Sequence, residues 1–269
     1  MARVMGVLNV TPDSFSDGGR WLDPAAAIAH GRQMIAEGAD MIDVGGESTR
    51  PGASPVDADE EMRRVLPVIE ALAGEVEISV DTRKEPVARS AVAAGATVIN
   101  DVSSSLWPVA ADTGAGWVAM HMRGEPSDMQ RRAVYSDVVT EVRDHLLDRA
   151  ERAARAGVER IWIDPGIGFA KNAHHNLSLL KHLSVLVDSG WPVLVGTSRK
   201  SFLGRVAAPG TDPLPALQRL EGTVATTAWA ITQGAAMVRV HDVRPAVMAS
   251  RLAAGRATRS GAHPMEVAG

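Results

Sequence analysis

The chain contains no cysteine, so disulfide bridges, thiolate metal ligation and a cysteine nucleophile are all excluded. It also lacks any apolar run near the roughly 20 residues that a bilayer span requires; the stretch 191–195 is typical. Residues 1–10 hold no basic segment followed by a long apolar one, which predicts no signal peptide. Lysine is scarce too, with 24 of the 28 basic residues being arginine. That skew fits GC-rich coding and carries no functional weight. The formal net charge of −4 argues against general affinity for nucleic acid or an anionic membrane, while leaving room for a local basic pocket. These absences predict a soluble cytoplasmic protein with neither nucleic acid nor membrane as partner. What remains is ample. With 269 residues, 45% of them hydrophobic, the chain can bury a substantial core in one large domain or two small ones.

A phrase recurs along it: a helix end, a glycine, a short apolar run, then a polar residue and a turn. Copies begin at Gly38, Gly95, Gly116, Gly157, Gly190 and Gly234. Glycine suits a helix C-terminus because it tolerates positive φ. Short β-branched runs without polar alternation fit parallel strands buried on both faces. With the runs at 4–8 and 77–80 the count reaches eight, and successive starts lie 19 to 44 residues apart, enough for crossovers. Helical patterns occupy 25–37, 57–73, 86–94, 136–156, 174–188 and 213–233. Eight strand–helix units in about 250 residues predict a single-domain (β/α)8 TIM barrel of the α/β class over 1–255, with a flexible tail over 256–269. A doubly wound sheet is the competitor, weakened by the lack of Gly-x-Gly-x-x-Gly after the first strand.

In such a barrel the C-terminal strand ends share one mouth. The sequence puts Asn9, Asp43, Asp81, Asn100, His121, Asp164, Arg239 and His241 there. One Asn or Asp could simply cap the next turn. Eight buried polar groups together need partners, so a site is expected. Arg239 and His241 alternate with valines, and a guanidinium beside an imidazole suits a phosphate or pyrophosphate. A salt bridge from Arg239 to a carboxylate such as Asp242 is the plainer reading. Arg199 and Lys200 add positive charge to the same rim. Asp81, Asp164 and Asn100 could bind a donor-rich ligand such as an aminopyrimidine edge, act as an acid/base pair, or hold a metal. Spacing alone does not choose. The polar loops 9–19 and 45–52 have the character of lids. The histidines 174, 175 and 182 lack further zinc ligands. Ser198 sits in no nucleophile elbow, and the tryptophans fit core or helix packing.

At this point the motifs resemble a known family. Residues 5–19 (MGVLNVTPDSFSDGG) and 43–52 (DVGGESTRPG) resemble the two opening signatures of the dihydropteroate synthases. Further matches are Ser79-Val80-Asp81-Thr82, Asn100-Asp101-Val102, Met120-His121-Met122, residues 164–171 (DPGIGFAK), Ser198-Arg199-Lys200-Ser201 and Arg239-Val240-His241-Asp242. They run in order from about residue 3 to residue 250. The resemblance implies a transferase of folate biosynthesis. It would condense 6-hydroxymethyl-7,8-dihydropterin diphosphate with 4-aminobenzoate, giving 7,8-dihydropteroate and pyrophosphate.

By position, the resemblance implies that Asp164 and Asn100 hold the aminopyrimidine edge of the pterin. Asp81 would take a ring N–H, Lys200 would donate to the carbonyl and ring nitrogen, and Met120 would line the substrate pocket. Asn9 would coordinate Mg²⁺ on the diphosphate, with Arg239 and His241 on its oxygens. Thr49, Arg50, Pro51, Phe169 and Ser201 would form the aminobenzoate side, with Asp13 on the closing first loop. Asp13, Arg50, Lys200, Arg239 and His241 are the expected catalytic set. A homodimer and a sulfonamide target are implied as well. The segment 102–108 departs from the family pattern by its shortness, which leaves the start of the following helix open and is expected to lie away from the ligands. Two other readings compete: a pterin-binding methyltransferase domain, for whose cobalamin module there is no room, and a non-catalytic pterin-binding paralogue.

Overall fold

The computed structural model describes residues 1–11, 24–48, 55–125 and 128–257. Eight parallel strands form one sheet: β1 Arg3–Asn9, β2 Met41–Gly45, β3 Glu77–Asp81, β4 Val98–Asp101, β5 Gly116–Met120, β6 Ile161–Asp164, β7 Leu194–Val195 and β8 Met237–Val240. The order is β6-β5-β4-β3-β2-β1-β8-β7, and a single bridge from Ile163 to Val193 joins the two ends. The result is a TIM barrel. Around it run α1 Pro24–Ala36, α2 Ala58–Leu72, α3 Glu85–Ala93, α4 Trp107–Thr113, α5 Val138–Arg155, α6 Ala173–Lys181, α7 Ser184–Val187, α8 Ser201–Ala207, α9 Leu220–Thr232 and α10 Val243–Ala257.

Local chemistry sets the helix boundaries. The Asp57 side chain accepts the Glu60 N–H at 2.7 Å and starts α2; Asp137 does the same for α5. Asn172 and His175 form a reciprocal capping box on α6, which gives His175 a structural task. Five of the six phrase glycines have positive φ. At the sixth copy the left-handed position moves to Gly114, two residues earlier, and Gly116 begins β5 instead. The helical pattern at 174–188 divides into α6 and α7, and that at 213–233 becomes helical only from Leu220, after a short 3-10 turn at Ala216–Gln218. α10 runs through Ala257, so the backbone of the first two expected tail residues is helical; 258–269 lie outside the described residues.

The segment after β4 is well organised despite its shortness. The buried Asp101 carboxylate accepts from the backbone N–H groups of Ser103, Ser105 and Leu106 and from the Trp117 indole. These bonds curl the chain directly into α4, whose first turn tolerates Pro108.

Two cores result. Between sheet and helices lies a continuous apolar layer that includes Ile42, Ile69, Leu72, Ile78 and Leu146. Inside the barrel Met5, Met41, Val98, Val118, Trp162, Leu194 and Met237 fill the lower half. Trp117 and Trp162 are buried, whereas Trp229 lies half exposed on α9 with its indole donating to the Leu180 carbonyl at 2.8 Å.

Candidate active site

Side chains two positions apart on a strand share a face. Two residues beyond the apolar plug, the same interior face therefore carries Asp43 after Met41, Asn100 after Val98, Met120 after Val118, Asp164 after Trp162 and Arg239 after Met237. The strand register sets Asn9, Gly45, Asp81 and Asn100 side by side across β1 to β4. The cleft above them is lined by Asn9, Asp81, Asn100, Met120 and Asp164. Phe169, Lys200, Ser201, Arg239 and His241 complete it. Ten expected site residues thus converge. Asp13, Thr49, Arg50 and Pro51, with most of the first expected lid and half of the second, lie outside the described residues.

Arg239 is the hub. Its Nε donates to Asp43 at 2.6 Å and its Nη2 to Asp81 at 2.7 Å, while Asn100 Nδ2 reaches the same Asp43 oxygen at 2.9 Å. The guanidinium therefore sits among the aspartates, and the separate basic rim expected from sequence needs correction. Asp242, the carboxylate suggested for Arg239, instead pairs with Arg199 through two bonds of 3.1 and 2.7 Å. Arg199 is neutralised locally and adds no net charge to the rim. The second oxygens of Asp43 and Asp81 are buried without a hydrogen-bond partner, and at Asp81, which lines the cleft, the spare acceptor suits a ligand with N–H groups.

The first residues after β6 form the opposite wall. Asp164 Oδ1 accepts the Gly166 N–H at 2.7 Å. The Phe169 ring lies under the Lys200 ammonium, 3.8 Å from nitrogen to centroid. His241 is fixed from the side by Ser198, whose Oγ is 3.0 Å from Nδ1 and accepts the His241 backbone N–H. Val102 lines the cleft and packs with Met120, Met129 and Phe169, and Ser104 donates to the Met120 carbonyl at 2.7 Å. The segment 102–108 thus begins at the site, contrary to the expected distance, because the Asp101-centred turn folds it back.

A family model described as "Pterin binding enzyme" matches residues 5–241. Dihydropteroate synthases of Mycobacterium leprae and Escherichia coli are each 46% identical to the chain, covering 93% of it and 92% and 89% of themselves. The chain belongs to the dihydropteroate synthase family. Solved structures agree. A Yersinia pestis dihydropteroate synthase in complex with a sulfonamide drug superposes with a TM-score of 0.88 at 43% identity, covering 96% of this chain and 94% of that one. A Xanthomonas albilineans dihydropteroate synthase with 4-aminobenzoic acid gives 0.86 at 45% identity, covering 96% and 93%.

For a member of this family the site electrostatics are informative. Burial pushes the Asp81 carboxyl up to about 7, with Arg239 opposing and Asp43 and Glu61 reinforcing. Burial likewise raises Asp164 to about 6 against the Gly166 N–H and the charges of Lys200, Arg239 and Lys171. Lys200 falls to about 8, through burial and then Arg239, although Asp164 and Asp81 pull it upward. For Arg239 burial works downward, yet Asp43 and Asp81 outweigh it and raise the pKa, so the guanidinium stays charged. Charged pairs of this kind in a pocket mark a functional site.

Several participants had no predicted role: Asp43 as the counter-charge of Arg239, Ser198 as the brace of His241, and Lys171 beneath the wall. Asp43 was visible as a strand-end carboxylate. The other two follow only from three-dimensional contacts. Where the second loop begins, Glu47 pairs with Lys84 and Arg83, and Lys84 also reaches the fully buried Glu61.

Proposed function

We propose that the chain catalyses the condensation of 6-hydroxymethyl-7,8-dihydropterin diphosphate with 4-aminobenzoate, giving 7,8-dihydropteroate and pyrophosphate for folate synthesis. The observation that carries this reading is the acceptor-rich mouth of the barrel, Asp81, Asn100 and Asp164 facing Lys200, in a chain 46% identical to dihydropteroate synthases. Carboxylate and amide oxygens of Asp164 and Asn100 accept from an aminopyrimidine edge, Asp81 takes a ring N–H, and Lys200 donates to the carbonyl and ring nitrogen. Met120 supplies an apolar wall. The bond from the pterin methylene to the diphosphate oxygen breaks, and the bond to the arylamine nitrogen forms, with loss of one amine proton. The ring delocalises the positive charge left on the methylene, and neighbouring carboxylates stabilise it. Arg239 and His241 stabilise the departing pyrophosphate. Phe169 and Ser201, with Thr49, Arg50, Pro51 and Asp13 by family resemblance, orient the arylamine and exclude water.

Asn9 fits as the protein ligand of a Mg²⁺ ion, because its side chain lines the cleft at the end of β1 and its neighbour across the register, Gly45, has no side chain to cover it. Among the described residues no cluster of three or more His, Asp or Glu side chains gathers to cage a metal. A single hard oxygen suits a cation that takes its other ligands from phosphate and water. When bound, Mg²⁺ would neutralise charge on the diphosphate. The reading extends to a homodimer, a cytoplasmic location and a role as a sulfonamide target; among the described residues no helix is long and apolar enough to cross a membrane.

The test is incubation of purified protein with the pterin diphosphate, 4-aminobenzoate and Mg²⁺. Pyrophosphate and dihydropteroate should appear together. Pterin binding without product would mark a binding protein instead.

A further inference from the structure

Lys171 is 3% exposed, and the reaction gives it nothing to do. Its ammonium is held by the carbonyl oxygens of Phe169 at 3.0 Å, Gly166 at 3.1 Å and His121 at 3.2 Å, with His121 Nδ1 at 2.9 Å. Burial lowers the Lys171 pKa to about 7 against the pull of Asp164; as an ammonium it only donates, and His121 then presents Nδ1 as an acceptor. Burial and then the Lys171 charge press its pKa down to about 2, in keeping with that state.

The turn above this cation is costly to form. Gly166, Gly168 and Ala170 all have positive φ, at 63°, 87° and 50°, and for Ala170 the left-handed region is unfavourable. A Cβ on Gly166 would lie 2.0 Å from the His121 carbonyl oxygen. The alternation turns the carbonyls of 166 and 169 toward one point; Gly166 also accepts the Phe169 N–H at 3.0 Å, whereas the Phe169 and His121 carbonyls have Lys171 as their donor and without it would lose that partner. The upper surface of the same turn is the wall of the cleft. The Gly166 N–H sets the Asp164 carboxylate, the Lys200 stem rests where a Gly168 Cβ would be 2.9 Å from Cδ, and Phe169 lies beneath the Lys200 ammonium.

We propose that Lys171 is a positioning residue whose buried ammonium holds the 166–170 turn in the shape that presents Asp164 and Lys200 to the two sides of the pterin ring. The inference rests on the pterin-site reading above. The geometry gives it selectivity, because Asn9 ends β1, Arg239 lies in β8 bonded to Asp43 and Asp81, and His241 follows β8 beside Ser198, whereas the turn follows β6.

The experiment measures two ligands on the full chain: 6-hydroxymethylpterin by fluorescence titration and pyrophosphate with Mg²⁺ by calorimetry. In Lys171→Met the pterin Kd should rise at least about tenfold, as expected for loss of several hydrogen bonds from a charged donor, while the pyrophosphate Kd changes less than about twofold. Lys171→Gln, neutral but still an N–H donor, should fall between the two proteins, and it carries the test if the Met variant does not fold. A pterin Kd within about twofold of the unaltered protein in either folded variant overturns the inference. Equal weakening of both ligands also overturns it, since that marks a residue serving general stability. An unaltered protein that binds no pterin sinks the site reading, and this inference with it.

Discussion

The two halves of the barrel interior differ by one step along the same strands. Below, Met41, Val98, Trp162 and Met237 pack into a dry plug. Two residues higher, Asp43, Asn100 and Arg239 form a hydrogen-bonded network beside a cleft that Asp164 also lines. The lower half stabilises by removing apolar surface from water; the upper half accepts desolvated charge and is poised for a ligand. Stability and function are thus separated along the barrel axis, although each strand serves both.

The largest effect is expected at Arg239, where the separation is weakest. Arg239→Met leaves Asp43 and Asp81 as unpaired buried carboxylates, which should cost about 3–5 kcal/mol of stability. It should also lower kcat/KM at least ~100-fold through loss of charge stabilisation on pyrophosphate. Unchanged diphosphate binding and turnover would sink the assignment. Trp162→Ala and Asp164→Asn should then split the two halves from successive inward-facing positions on one strand. The first should lose about 3–5 kcal/mol in denaturant unfolding while retaining KM for the pterin diphosphate. The second should keep the melting temperature and raise that KM ~10-fold or more. If both variants show the same pattern, the division is wrong.

A pH dependence sharpens the contrast further. Asp81 and Asp164 are raised in the folded state, to about 7 and about 6, above ordinary carboxylate values. Their contribution is fully present below the unfolded pKa near 4 and is lost as pH rises through 6 to 7. The part of the melting temperature that these two carboxyls carry in ligand-free protein should therefore decline from pH 5 to pH 7.5, against an opposing rise from the lowered His121 and His145. Asp81→Asn should flatten that slope, and an unaltered slope would count against the raised carboxyl. Smallest of all, Met41→Leu in the plug conserves volume and should cost less than about 1.5 kcal/mol with no kinetic change, as read from a thermal melt and initial rates.

Much of this arrangement was legible in the residue order. The eight strands were, because each is a short apolar run and six of them carry the glycine phrase. The mouth was too, since strand ends of a parallel barrel must converge. The partner of Arg239 was not. Asp43 and Asp81 lie 196 and 158 residues away, whereas the tempting Asp242 is near in sequence and belongs to Arg199. The helix α4 escaped because seven residues containing a proline show little periodicity, and its trigger is the single carboxylate of Asp101. Lys171 was legible only as part of a motif; its role depends on carbonyls whose directions follow from backbone angles.

One feature of the sheet has a consequence for ligand binding. β7 contains two residues, and only the Ile163–Val193 bridge closes β6 upon it. Asp164 lies at one lip of that seam, and Lys200 follows β7 on the other. A pterin held between them would act as a clasp, fastening a ring that the backbone leaves almost unbuttoned. Amides along Ile161–Asp164 and Leu194–Val195 should then exchange hydrogen more slowly once the clasp is shut.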